Sequence, residues 1–226
     1  MTMTTTTTTS ESRQAVDAAV WGACDILRRS NCASATQYVP ELTWILFLRV
    51  LDERERIEAE NAEAVGASYT ESLASPHRWR DWAATPPRLP TKGEADPPEH
   101  FNPDGTRIGW KRRELNEGAM NAFFSFVNDE LLPYLRSLKE KPDATEKQKI
   151  ISEIMTGVDR VRVDTEKNFL DVLDRIHKMT HHIDAQHFFV LSQVYEGLLL
   201  KMGEKAGERL LDAPLLLRVH IAAAAG

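Results

Sequence analysis

Four histidines, His177, His181, His182 and His187, fall within eleven residues of one another. His177 and His181 stand at i and i+4, a spacing that can hold a metal ion on one helical face. No H-E-x-x-H pattern and no cysteine pattern accompanies them. They also fall where a helix is expected to end, and imidazoles favour that carbonyl-rich terminus, so no metal is assigned. The basic residues form four local clusters: Arg28–Arg29, Arg78–Arg80, Lys111–Arg112–Arg113 and Arg160–Arg162. Most such charges are solvated helix ends and loops. The cluster at 111–113 follows Trp110 directly, and a basic, aromatic surface of that kind can contact phosphates. Lys111, Arg112 and Arg113, with Arg160 and Arg162, are therefore the candidate DNA-contacting residues. Asp52, Glu53 and Glu55 alternate with Arg54 and Arg56, a salt-bridged helix face more often structural than catalytic. The chain has no Gly-rich phosphate loop, no G-x-G-x-x-G and no G-x-S-x-G. Neither a catalytic nor a cofactor-binding residue can be named from residue chemistry.

Those candidates have to be held by something, and composition limits what. With 226 residues, the chain is long enough to bury a proper core as one large domain or two small ones. The formal net charge of −6 argues against a generally basic nucleic-acid binder and leaves only local basic faces for that role. Cys24 and Cys32 are the two cysteines, too few for a disulfide framework or a four-cysteine zinc site. Both are read as small buried side chains, and a reducing, cytoplasmic setting is expected. The opening MTMTTTTTTS has neither an apolar nor a basic segment of a leader, and residues 1–12 are expected to be a disordered Thr-rich tail.

The most apolar stretch runs from Leu42 to Leu51, interrupted only by Thr43 and Arg49. A helix so apolar on all sides must be covered on several, and ten residues are too few to span a bilayer. Tyr38–Glu60 is thus the expected central helix, with Pro40 in its first turn and the charged run after Leu51 leaving the core for water. A helix capped by Ser10 or Ser12 and ending near Arg29 should pack Val16, Ala19, Val20, Ala23, Cys24 and Leu27 onto it as a hairpin. From 65 to 109, seven prolines exclude a long helix, but Trp79, Trp82, Phe101 and, at its end, Trp110 imply an ordered irregular insertion. Helices should resume with Asn116 as a cap and break or kink at Pro133. An Asp143/Glu146 capping box, an end at Thr156–Gly157, and starts at Thr165 or Asp164 and at Asp184 complete the pattern. No strand candidate competes. The expected fold is all-α, an irregular helical bundle around a buried central helix with a long Pro-rich irregular loop.

Three blocks resemble one family. Trp21–Arg28 with Tyr38–Glu55, then Trp110–Leu138, and then Lys149–Arg162 with Asn168–Ile176 and Leu191–Glu208 are similar, in order and spacing, to the N-terminal helical domain of the methyltransferase (M) subunit of type I restriction-modification systems. The resemblance implies a subunit that works with a DNA-reading specificity (S) subunit and with other M and restriction (R) subunits on DNA. In that family a separate S-adenosylmethionine domain methylates adenine N6. The resemblance covers about 14–208 and stops before the family's Thr-Pro-Arg and Asn-Pro-Pro-aromatic motifs. It therefore implies a domain at 13–208 with its insertion at 65–109, and an atypical tail at 209–226 such as a frameshift near Arg209 would leave. No cofactor is then expected in this chain, no catalysis by it alone, no membrane partner, and self-association through an exposed C-terminal helix. An independent helical protein-interaction module without a DNA role is the alternative, and a histidine metalloenzyme a third reading.

Overall fold

The computed structural model describes residues 4–179, and what is expected of 180–226, including His181, His182, His187, the helix from Asp184 and the tail, lies outside them. The described chain is helical. Its helices are α1 (Thr4–Arg29), α2 (Ala35–Ala64), α3 (Trp79–Trp82), α4 (Trp110–Glu117), α5 (Ala122–Ser125), α6 (Leu132–Ser137), α7 (Glu146–Met155) and α8 (Glu166–His177). A π-turn, Phe126–Leu131, joins α5 to α6. Among the described residues the only β pairing is an isolated bridge between Phe101 and Arg107. None of their helices is long and apolar enough to cross a membrane.

Helix α2 is the centre, as its composition requires. Every residue from Glu41 to Arg49 is buried, so the helix is covered on all sides. Its charged second half does not leave for water as expected. Arg49 reaches Glu53 at 3.1 Å with both side chains almost wholly buried, and Arg56 reaches Glu53 at 2.6 Å. Glu55 accepts from Ser72 N at 2.9 Å and Asp52 pairs with Arg80 at 2.8 Å. The irregular segment supplies Ser72 and Arg80, α2 itself supplies Arg49 and Arg56, and a carboxylate can be buried when it is paired and hydrogen-bonded.

Two starts come earlier than expected. Helix α1 begins at Thr4, inside the run expected to be disordered: extending a formed helix needs no new nucleus, so even poor formers can propagate it. Helix α2 begins at Ala35 behind Ser34, whose N–H donates to Gln37 Oε1 at 3.1 Å, which leaves Pro40 inside the helix at an exposed position. Val16, Val20, Ala23, Cys24 and Leu27 are buried, but α1 lies chiefly against α8 and less against α2. The approach is close enough that a Cβ on Gly22 would stand 2.7 Å from the Arg175 guanidinium. Cys24 and Cys32 are free and buried, and burial pushes both thiols up to about 11.

Residues 65–109 are irregular and well anchored. Trp79 and Trp82 stack edge to face at 5.8 Å, and Trp82 meets Phe123 at 6.2 Å. Phe123 touches Phe169 of α8, which touches Trp44 of α2, each pair at 6.0 Å. This aromatic chain ties the insertion to the bundle, because rings of this size bury large apolar areas. Gly109, in the left-handed region at φ 66°, turns the insertion into α4, and a Cβ there would meet Ala84 O at 2.7 Å.

Asn116 is not a cap, since α4 runs through it, and the next helix starts only after Asn121. Near Pro133 the helical pattern changes where expected: the π-turn Phe126–Leu131 ends there and a separate short helix, α6, begins at Leu132 with Pro133 in its first turn, where a missing N–H costs nothing. The cap of α7 is Thr145, with Gln148 closing the box, in place of Asp143 and Glu146. The end of α7 at Thr156 and the Thr165 cap of α8, which accepts from Asn168 N at 3.2 Å, fall where expected.

Candidate functional site

The five basic candidates separate into two groups. Arg112 is buried; its Nη1 donates to Asp174 at 2.7 Å and to Ala83 O at 2.9 Å, joining α4, the insertion and α8. Arg113 donates to Pro87 O at 2.5 Å, and Lys111 pairs with Glu114 at 2.8 Å while lying over the Trp110 ring. The 111–113 cluster thus fastens the insertion to the bundle and does not form a basic face: two of its three cations are taken up by backbone carbonyls and a carboxylate on other elements. Trp110 itself donates Nε1 to the buried Asp81 at 3.3 Å. The cluster at 78–80 is likewise internal, Arg78 meeting Asp81, Glu71 and Asp104, and Arg80 meeting Asp52 and Glu71.

Arg160 and Arg162 are exposed and line a groove of about 810 Å³. Asn31, at the end of α1, and Gln37, in α2, form one wall. Asn121, Phe124, Ser125, Asn128 and Asp129, from α5 and the π-turn, form another, and the connection from α7 to α8 closes the floor with Val161 and Val163. That connection is pinned at three points. Arg136 donates to Val158 O at 2.5 Å, Val161 N donates to Asn128 Oδ1 at 2.8 Å, and Arg162 N donates to Glu41 Oε1 at 3.2 Å.

Glu41 lies beneath the arginines in an adjoining hollow of about 220 Å³. It is 2% exposed, and burial drives its carboxyl up to about 7, against the opposing pull of the Arg162 N–H. The Trp44 indole stands close by, its buried Nε1 without a hydrogen bond of normal geometry. A buried carboxyl so perturbed, at the edge of a groove, marks a functional candidate. Sequence reasoning missed it because a single Glu at the start of an apolar helix reads as an N-terminal charge.

His177 ends α8, as expected, and its Nδ1 accepts from Trp79 Nε1 at 3.2 Å. It thereby holds the insertion onto α8. Among the described residues no group of three or more His, Cys, Asp or Glu side chains is placed to share a metal.

These features define an all-helical domain whose exposed polar feature is a groove between helix ends. Residues 16–186 match the family described as the HsdM N-terminal domain, and the chain belongs to that family. It is also similar to the crystal structure of a modification subunit of a putative type I restriction enzyme from Vibrio vulnificus, at 27% identity and a TM-score of 0.59. The match covers 87% of this chain and 37% of that one, so the chain spans little more than a third of the solved subunit. No curated protein matches the chain.

Proposed function

We propose that this chain serves as the assembly and DNA-contact domain of a type I modification subunit, packing against the specificity subunit and other subunits of the complex. Methyl transfer to adenine N6 would belong to an S-adenosylmethionine domain elsewhere in the assembly. The observation that supports this reading is the groove: Arg160 and Arg162 are exposed on a pinned connection, whereas Arg112 and Arg113, predicted with them, are held by the fold's own carboxylate and carbonyls. Exposed arginines on a rigid frame are suited to reach a carboxylate of a partner subunit.

The test is co-expression with a specificity subunit, followed by titration of the purified complex with duplex DNA at increasing salt. A stable complex is expected, and DNA affinity should fall as salt rises, because phosphate contacts release counterions. Failure to form any complex overturns the assembly reading. Complex formation with an affinity indifferent to salt would remove the DNA contact and leave a protein-interaction module.

A further inference from the structure

Asn31 and Asn121 are the two non-glycine residues of the described chain with positive φ, at 63° and 64°, and both line the same groove. The one π-turn among the described residues contributes Asn128 and Asp129 to that groove as well. Left-handed backbone at non-glycine residues is sparsely populated, and π-turns recur at functional sites. That three such irregularities converge on one surface feature singles it out from the rest of the bundle.

The groove's chemistry identifies its occupant. Gln37 accepts from Ser34 through Oε1 and Asn128 accepts from Val161 through Oδ1, which leaves the Nε2 and Nδ2 groups as donors. Arg160 and Arg162 are balanced by Asp129 and Asp164 along the same lining. A duplex or single strand would lay a row of phosphates along a lining with no net positive charge, in a chain of formal charge −6, whereas a single carboxylate need meet only the two arginines. Amide side chains beside an apolar floor instead suit peptide groups, which an extended chain leaves unpaired along its whole length. Met120, next to Asn121, is 90% exposed, and methionine and arginine are enriched in protein interfaces.

We infer that this groove seats an extended polypeptide segment of a partner subunit, with a carboxylate side chain directed to Arg160 and Arg162 and an apolar one to Phe124, the segment running on over the exposed Met120 beside the groove. The inference rests on the assembly reading for the source of the segment and goes beyond it in naming the seat and its chemistry.

The test uses the full chain and the specificity subunit of a type I complex as probe, with binding measured by calorimetry. The paired substitutions Arg160→Glu and Arg162→Glu, and separately Met120→Asp, alter exposed side chains; circular dichroism verifies that each variant folds. Each variant should weaken subunit binding about tenfold or more, the scale of losing one interfacial contact. Lys139→Glu, on an exposed site away from the groove, should leave it unchanged. A short DNA duplex titrated in parallel should bind wild type and variants alike. Subunit binding insensitive to all of these substitutions, in the groove and beside it, overturns the inference while the assembly reading stands. Duplex binding lost in the arginine variant with subunit binding intact makes the groove a nucleic-acid site and overturns it too. No complex with the wild-type chain defeats both readings.

Discussion

Glu41 shows how one residue can be set by its surroundings. Its carboxyl is raised from an ordinary value of 4.5 to about 7, chiefly by burial, so the folded chain holds the proton more tightly than the unfolded chain does. The sign follows from linkage: stability falls as pH rises from about 4.5 to about 7 and stays lower above, since ionising the buried acid disfavours the folded form. Glu41→Gln keeps an oxygen for the Arg162 N–H and removes the ionisation. It should therefore stabilise the chain at pH 8 by on the order of 2 kcal/mol, and far less at pH 5. Urea unfolding at the two pH values checks this. A variant less stable at pH 8 would mean that the charged form is favoured by the fold. Arg112 makes the opposite case. Removing it leaves Asp174 half-buried without its cation, so Arg112→Ala should cost about 3 kcal/mol, whereas Arg160→Ala should change thermal stability by less than about 0.5 kcal/mol.

At the scale of elements, α2 organises the bundle and the insertion closes it. Leu46 lies in the fully covered part of α2, and Leu46→Asp would bury a carboxylate with no partner. The loss should be about 5 kcal/mol, comparable with the whole stability of many domains, and the cooperative thermal transition should disappear. Gly109 is the hinge on which the insertion turns into α4. Gly109→Ala meets both a left-handed backbone and the Ala84 carbonyl, and a lowered melting temperature equivalent to about 2 kcal/mol is expected. A midpoint equal to wild type would show that the insertion can shift without cost. The caps follow a simpler logic: Thr145 and Gln148 close α7 because threonine reaches the third N–H of the helix while glutamine reaches back to the cap, a pattern present in the sequence but overlooked in favour of the nearby Asp143 and Glu146.

At the scale of the molecule, the described residues carry no strand, glycine turn and helix of the kind that holds a dinucleotide or S-adenosylmethionine. The chain alone should neither methylate DNA nor bind S-adenosylmethionine at micromolar concentrations, which calorimetry measures directly. Micromolar binding would overturn this expectation.

Fold class and the identity of the central helix were legible in the sequence, because a ten-residue apolar run has no stable exposed form and seven prolines between 65 and 109 leave no room for a long helix. The ordered insertion was legible too, from tryptophans that need a surface to cover them. Which arginines are available was decided only by the tertiary structure. Lys111, Arg112 and Arg113 look in sequence like the basic face, yet the carboxylate and carbonyls that take up Arg112 and Arg113 come from residues 26 to 62 positions away. The burial of Glu55 has the same origin, since Ser72 of the insertion folds back across α2 to meet it, whereas Glu53 is paired locally by Arg49 and Arg56 of the same helix. Local pattern fixes helices through interactions three and four residues apart; charge pairing and exposure depend on contacts between distant segments, and these exist only once the chain has packed.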